Sequence, residues 1–213
     1  MFGPTYKVRH GELSITMRAI RKEEAKLVAA GISNPKVNRY LNYSHGETPE
    51  QAEEWLKKLA EDQNGVGWGI ALTKSDRLIG CTTLRYNLLN HNASSGVMIF
   101  DPKMWGQGGV SLTHLVRTAY AADSLDVATI TTTVFKPNIA SRRALERVGY
   151  VVTGYEYGTR VGEGQLQDIL HLQWVNPAWK ERVFLGEVPE LFVEPLEKAN
   201  KALQKARKLL TIR

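Results

Sequence analysis

In the stretch Trp105-Gly106-Gln107-Gly108-Gly109-Val110, three of the four positions from Gly106 to Gly109 are glycine, and the stretch separates a strand-like run from a helical one. Upstream, "SSGVMIF" is apolar and followed by Asp101-Pro102. Downstream, Leu112, Leu115, Val116 and Tyr120 recur at helical spacing from a start near Ser111. A strand-to-helix turn stripped of side chains has one recurrent physical use: its open amides and the helix N-terminus together form a nest for phosphate oxygens. Two familiar nucleotide motifs are excluded by residue type. A P-loop needs Lys and then Ser or Thr after its last glycine, but Gly109 is followed by Val110 and Ser111. A dinucleotide fingerprint needs glycine where Ser111 stands, inside a parallel βαβ unit.

The surrounding pattern is mixed α/β with a largely antiparallel sheet. "SITMRAI" from Ser14 alternates as an edge strand, and "RKEEAKLVAAGI" reads as a short helix stopped at Gly31. Asn34-Pro35 is an N-cap with proline at the first helical position, and Thr48-Pro49 with Gln51 repeats the device as a capping box. From Gly67 the period changes to that of three consecutive antiparallel strands, "GWGIALT", "RLIGCTTLRYNLL" and "SSGVMIF". After the glycine turn and its helix come the β-branched strand "ATITTTV", the helix "NIASRRALERVGY" closed by Gly149, and two strands joined by a turn at "TRVGEG". Beyond Trp174 the pattern loosens, then tightens into "LEKANKALQKARKLL", with Leu196, Ala199, Leu203, Ala206 and Leu210 on one face. The expected organisation is one domain over residues 1–175 and a helical extension over 176–213, packed on that domain or at a homodimer interface.

Composition narrows the partners. Of 213 residues, 43% are hydrophobic and 23% charged, as in an ordinary globular chain. No run reaches the length of a membrane helix, and the N-terminus lacks a secretory layout, so the expectation is a cytoplasmic chain with no membrane partner. Cys81 is the single cysteine, so no internal disulfide or Cys-based zinc site can form, and no metal is expected. A net charge of +6 suits anionic ligands, but the excess is partly gathered in the last helix without the aromatic interleaving of a nucleic-acid footprint.

In this setting "SSGVMIFDPKMWGQGGVS" resembles the acetyl-CoA signature of the GNAT superfamily of N-acetyltransferases, a strand and proline before a Gln/Arg-x-x-Gly-x-Gly/Ala turn that opens a helix. "NIASRRALERVGYV" is similar to a later helix of that family, which opens with Asn and ends with Gly and an aromatic. Trp105 at the head of the turn and Asn138-x-x-Ser141 resemble the branch that acetylates ribosomal-protein N-termini, often called RimJ/RimL-like. The resemblance runs over roughly residues 14–175. Val110 departs from the usual Gly or Ala, and Leu112 and Thr113 from a frequent Glu-Ala.

The resemblance implies the GNAT fold, a mixed, mostly antiparallel twisted sheet flanked by helices, and acetyl-CoA as co-substrate. Backbone groups of Met98, Ile99 and Phe100 would pair with the pantetheine as an added strand, and the diphosphate would rest on Gly106, Gln107, Gly108, Gly109, Val110 and Ser111. The cofactor would lie where the third meander strand and "ATITTTV" splay apart. Many relatives protonate the leaving thiolate with a Tyr seven residues after the helix-opening Asn, where Leu145 stands here, so Asn138 and Ser141 become the candidates. Asn138 reads equally as an N-cap. A frequent Glu before the glycine of the third meander strand is replaced by Ser94 and Ser95, leaving Asp168 as candidate base, with Glu156 and His91 behind it. Asp168 is equally readable as a structural hydrogen-bond partner. The leading expectation is an acetyltransferase acting on a protein or peptide α-amine, whose reference pKa near ~8 leaves a neutral fraction for attack even through a water relay. The alternatives are a small-molecule amine acetyltransferase, for which Glu47, Glu50, Glu53 and Glu54 would offer acidic recognition, and a CoA-binding protein that has lost catalysis.

Overall fold

The computed structural model describes residues 1–41, 46–162 and 164–211, and divides into two compact units, Met1–Arg85 with Gly96–Thr113, and Tyr86–Ser95 with His114–Arg213. In the first unit the strands β1 (Tyr6–His10), β2 (Leu13–Arg18), β3 (Gly65–Leu72), most of β4 (Leu78–Asn87) and the end of β5 (Asn92–Ile99) lie side by side in chain order. The β1/β2, β2/β3 and β3/β4 pairs are antiparallel. β3 is buried along nearly its whole length, so both of its faces are covered. The covering comes in part from α1 (Ala25–Ser33), α2 (Pro35–Asn38) and α3 (Pro49–Glu61). Their starts follow the sequence signals. Asn34 accepts from the Lys36 N–H, and Thr48 and Gln51 exchange side-chain and backbone hydrogen bonds as a capping box. Ala52, Leu56 and Leu59 form the buried face of α3.

Two expectations in this unit are corrected. β2 is not an edge strand, because β1 pairs along its outer side. A two-residue connection, Gly11-Glu12, joins them, with Gly11 at φ +60° as a tight hairpin requires. Only Val8 of β1 is fully buried, so the strand lacks the apolar alternation that marks strands in a sequence. Nor does Gly31 stop a helix. It sits inside α1, where an added Cβ would fall 2.6 Å from the Phe100 ring, so its role is close approach and not termination.

The same unit is tied by a half-dry ionic cluster. Arg18 reaches both Glu24 oxygens, at 2.9 and 2.8 Å, and Asp76 at 2.7 Å, while Arg21 also pairs with Asp76. Burial pushes the Glu24 carboxyl up, but hydrogen bonds from Arg18 and from the Arg21 N–H outweigh it, leaving Glu24 below its ordinary value. A carboxyl depressed in the folded state stabilises above its unfolded value and ceases to do so as pH falls through the folded value. The urea midpoint is therefore expected to drop between about pH 5 and pH 3 more steeply in the wild type than in Glu24→Gln.

In the second unit the start of β5 runs parallel to β6 (Thr129–Phe135) over Asn92–Ser94. β6 pairs antiparallel with β8 (Gln165–Val175), which pairs antiparallel with β7 (Val151–Gly162). Glu163, in the expected turn between β7 and β8, lies outside the described residues. The sheet is thus mixed and mostly antiparallel, as expected. The turn helix α4 (Gly109–Asp123) contributes most of its length to this unit, with α5 (Ile139–Glu146), α6 (Lys180–Phe184) and α7 (Glu190–Thr211). α7 begins before Pro195, earlier than its apolar spacing indicated, although that residue lacks the N–H of a regular helical turn. Its Ala199, Leu203 and Ala206 are buried, and Arg207 holds Asp123 at 2.7 Å.

Gly149 joins α5 to β7 at φ +98°, and an added Cβ would lie 2.6 Å from both the Ala199 nitrogen and the Pro195 oxygen. Both obstacles are backbone and cannot rotate away. Gly149→Ala is expected to cost about 2–4 kcal/mol, read from chemical denaturation.

Candidate functional site

In the first unit the turn into α4 is braced by its own side chains. Asp101 caps the short turn Pro102–Met104, accepting from the Lys103 N–H and from Arg77, each at 2.9 Å. The Arg77 contact, then the Lys103 amide, holds the Asp101 carboxyl below its ordinary value. The Trp105 indole donates to the Ile99 carbonyl at 3.2 Å, and the Gln107 side-chain amide donates to the Lys103 carbonyl at 2.7 Å. Gln107 is thereby a brace of the turn, with its backbone left to face a ligand.

Gly106 and Gly108 stand at φ +76° and +87°, with no atom within 4 Å of the position a Cβ would take. Both are glycine for backbone conformation, in open surroundings. The Leu112 N–H bonds to the Gly108 carbonyl at 3.1 Å, which makes Gly108 the cap and places the helix start at Gly109, two residues before the expected Ser111. The amides of Gly109, Val110 and Ser111 precede that bond and have no acceptor inside the helix. Three axial N–H groups, a helix dipole and an open glycine approach fit a diphosphate. Val110 does not obstruct them, because side chains project from the helix wall while the first amides point along its axis.

The expected pantetheine strand is placed with one adjustment. The Phe100 N–H bonds to the Ile79 carbonyl at 2.7 Å. By the alternation of a strand, Phe100 turns its backbone groups towards β4 while Ile99 turns its own away. Of the three expected residues, Ile99 therefore has the free orientation, its carbonyl accepting from the Trp105 indole. Alternation along a strand whose register is unknown cannot be oriented from the sequence. The side chains of Ile99 and Phe100 are buried.

In the second unit Asn138 caps α5, its side-chain oxygen accepting from the Ser141 N–H at 3.3 Å. The half-buried Ser141 hydroxyl has no hydrogen-bond partner among the described residues. Asp168 is differently placed from the expected base. One of its oxygens accepts from Lys136 at 2.8 Å and the other from the Gly158 N–H at 3.1 Å, and these contacts, Lys136 foremost, hold the carboxyl below its ordinary value. Each Asp168 oxygen thus accepts from one donor, Lys136 or the Gly158 amide. Glu156 is paired with His171, and His91 bonds to the Asp126 carbonyl at 3.1 Å and packs on Trp179.

A buried polar group of this unit has no counterpart in the sequence reading. Arg117 and His114, both within 1% exposure, meet on one face of α4, the guanidinium 2.8 Å from Nδ1. Burial, with Arg117 beside it, pushes His114 well below its ordinary value, so the ring is neutral. Tyr150 hydrogen-bonds Arg117 and lies 3.5 Å from the Ser95 hydroxyl. One turn of helix carrying His and Arg reads as a solvated face until the packing is known.

A strand-to-helix turn that offers only amides, beside a strand edge that offers only backbone, defines a class of proteins holding a phosphate-bearing co-substrate by main chain. The comparisons identify which. Residues 14–151 match the acetyltransferase (GNAT) domain, and the chain belongs to that family. It is therefore an acetyl-CoA-dependent N-acetyltransferase. An uncharacterized N-acetyltransferase of Bacillus subtilis (strain 168), YoaA, is 29% identical over 157 residues, covering 68% of this chain and 87% of the relative. Among solved structures, spermidine N-acetyltransferase from Vibrio cholerae, in complex with CoA and spermine, matches with a TM-score of 0.69 at 20% identity, covering 76% of this chain and 95% of that one. A GNAT-family acetyltransferase from Bacillus anthracis matches at 0.67 and 17%, covering 80% and 98%. At these identities the two structures speak for the fold.

Gly108→Val forces a β-branched residue into the left-handed region at the centre of the amide nest. Acetyl-CoA affinity measured by calorimetry is expected to fall about tenfold or more, with helical circular dichroism retained. Unchanged affinity would remove the phosphate seat from this turn.

Proposed function

We propose that the chain is a RimJ/RimL-like enzyme that transfers the acetyl group to the α-amine of a protein or peptide. Trp105 and the Asn138-x-x-Ser141 helix opening support the branch. The observation that carries the choice of acceptor is the state of the four glutamates that a polycation would need. Glu53 is paired with Lys22 at 3.4 Å and Glu54 with Lys58 at 2.7 Å. Glu50 is exposed in the first turn of α3, where its carboxylate accepts from its own backbone N–H and from the Thr48 hydroxyl. Three of the four are thus engaged locally, which leaves one carboxylate, suited to a singly charged amine.

In this reading the diphosphate rests on the amides of Gly106, Gln107, Gly108, Gly109, Val110 and Ser111. Ile99, flanked by Met98 and Phe100, presents backbone groups to the pantetheine. The neutral amine attacks the thioester carbonyl, the C–N bond forms, the nitrogen sheds one proton to water, and the C–S bond breaks with its electron pair on sulfur. Ser141, whose hydroxyl is uncommitted and whose backbone is fixed by Asn138, delivers the proton to the departing thiolate, directly or through water. Asp168 holds the β8 start and takes no part in proton transfer. The helical segment 176–213 is assigned to the same domain, its Ala199, Leu203 and Ala206 face already covered.

The test is thiol release from acetyl-CoA across a panel of peptides with free N-termini, lysine side-chain amines, spermidine and an aminoglycoside. Peptide α-amines are expected to give the highest kcat/KM; preference for spermidine would transfer the function to the small-molecule class. Ser141→Ala is expected to lower kcat by about 10²-fold while acetyl-CoA affinity stays within twofold. Tight acetyl-CoA binding with no turnover on any amine would mark a protein that has lost catalysis.

A further inference from the structure

The remaining glutamate is unlike its neighbours. Glu47 immediately precedes the Thr48 cap of α3, and its backbone is pinned to the end of α1: its N–H donates to the Ser33 hydroxyl at 3.0 Å, and that hydroxyl lies 3.3 Å from its carbonyl oxygen. Its side-chain Oε2 is buried and accepts no hydrogen bond among the described residues. A carboxylate oxygen taken from water without a donor is costly, and folded proteins keep few such atoms. Where one persists on a fixed backbone, the missing donor is reasonably sought in a ligand.

Its surroundings say which ligand. The Glu47 carboxylate lies close enough to Cys81 to add to the effect of burial, which together push that thiol up to about 12. Cys81, on β4, belongs to one apolar cluster with Phe100, Ile32, Ala52 and Leu56, against which Met98 and Trp55 pack. Glu47 is hydrogen-bonded to Ser33, the residue after Ile32, and so borders the cluster that holds Phe100 and Met98, the two chain neighbours of Ile99. All of these residues are in the first unit.

We propose that Glu47 is the catalytic base of the acetyl transfer, receiving on Oε2 the proton that a monoamine acceptor sheds as its neutral nitrogen attacks. This rests on the acceptor reading above. As the neutral amine forms its C–N bond with the thioester carbonyl, positive charge develops on nitrogen and one N–H proton passes to Oε2. The C–S bond breaks, the electron pair leaves on sulfur, the thiolate takes one proton from water, and Glu47 returns its own proton to solvent. No proton is gained or lost overall when the amine enters neutral. The glutamate that relatives carry on the third meander strand is thus replaced by one from the loop before α3.

The test compares wild type with Glu47→Gln and Glu47→Asp. Glu47→Gln is expected to lower kcat/KM for the preferred amine by about 10²-fold or more, with acetyl-CoA affinity unchanged. Glu47→Asp keeps the charge but withdraws the oxygen, and is expected to recover only part of that loss. A second readout needs no turnover. Because the buried oxygen is unsatisfied without an amine, Glu47→Gln is expected to raise the Tm of the unliganded protein by about 2–4 °C. A kcat/KM within threefold of wild type, or a lowered Tm, would overturn the proposal. Failure of the wild type to acetylate any amine would instead count against the acceptor reading, and the Tm comparison would still decide the state of Glu47.

Discussion

A helix can present three adjacent N–H groups to a ligand only if the chain entering it turns sharply and puts nothing in front of them. Gly106 and Gly108 meet that condition through left-handed backbone at φ +76° and +87°. The rest of the turn serves to hold that geometry still. Asp101, anchored by Arg77, fixes the exit from β5, and Trp105 and Gln107 tie the loop back to Ile99 and Lys103. Four polar side chains are thereby spent on main chain or on each other, and the surface left for a diphosphate is made of amides. This is why the turn needs no lysine and why its Val110 is tolerated.

What was legible in the sequence follows from the range of the interactions involved. The caps at Asn34 and Thr48 and the stop at Gly149 depend on atoms a few residues apart, and each is found where the residues indicated. The three meander strands and the glycine turn were legible for the same reason. β1 was not, because its stability comes from pairing with β2 and not from apolar alternation. Gly31 was misjudged because its partner is Phe100, a contact across nearly seventy positions that local spacing cannot express.

The candidate site divides along the same line. The cofactor seat is built of backbone and declares itself through glycine, the residue type whose meaning is most local. The candidates for proton transfer are ordinary Asp, Glu and Ser, and what such residues can do depends on what they touch. Asp168 has the type and strand position of a base, and only the structure shows that Lys136 and the Gly158 amide each donate to one of its oxygens. Glu47 sits in a run that reads as the solvated, negative start of a helix, and only packing shows that one of its oxygens is dry. The pair His114 and Arg117 makes the same point in the second unit, since nothing in their spacing distinguishes a buried face from a wet one.

This asymmetry explains why the family is firmer than the acceptor. A backbone seat binds the same diphosphate whatever its side chains, so its signature persists while most other positions change, as in likenesses of 17% and 20% identity that keep the fold. The acceptor is read by a few side chains on loops and strand ends, where moving a single carboxylate from one element to another preserves the chemistry and erases the motif. Glu47 carries no sequence pattern of that kind, and what distinguishes it is the desolvation of one of its oxygens.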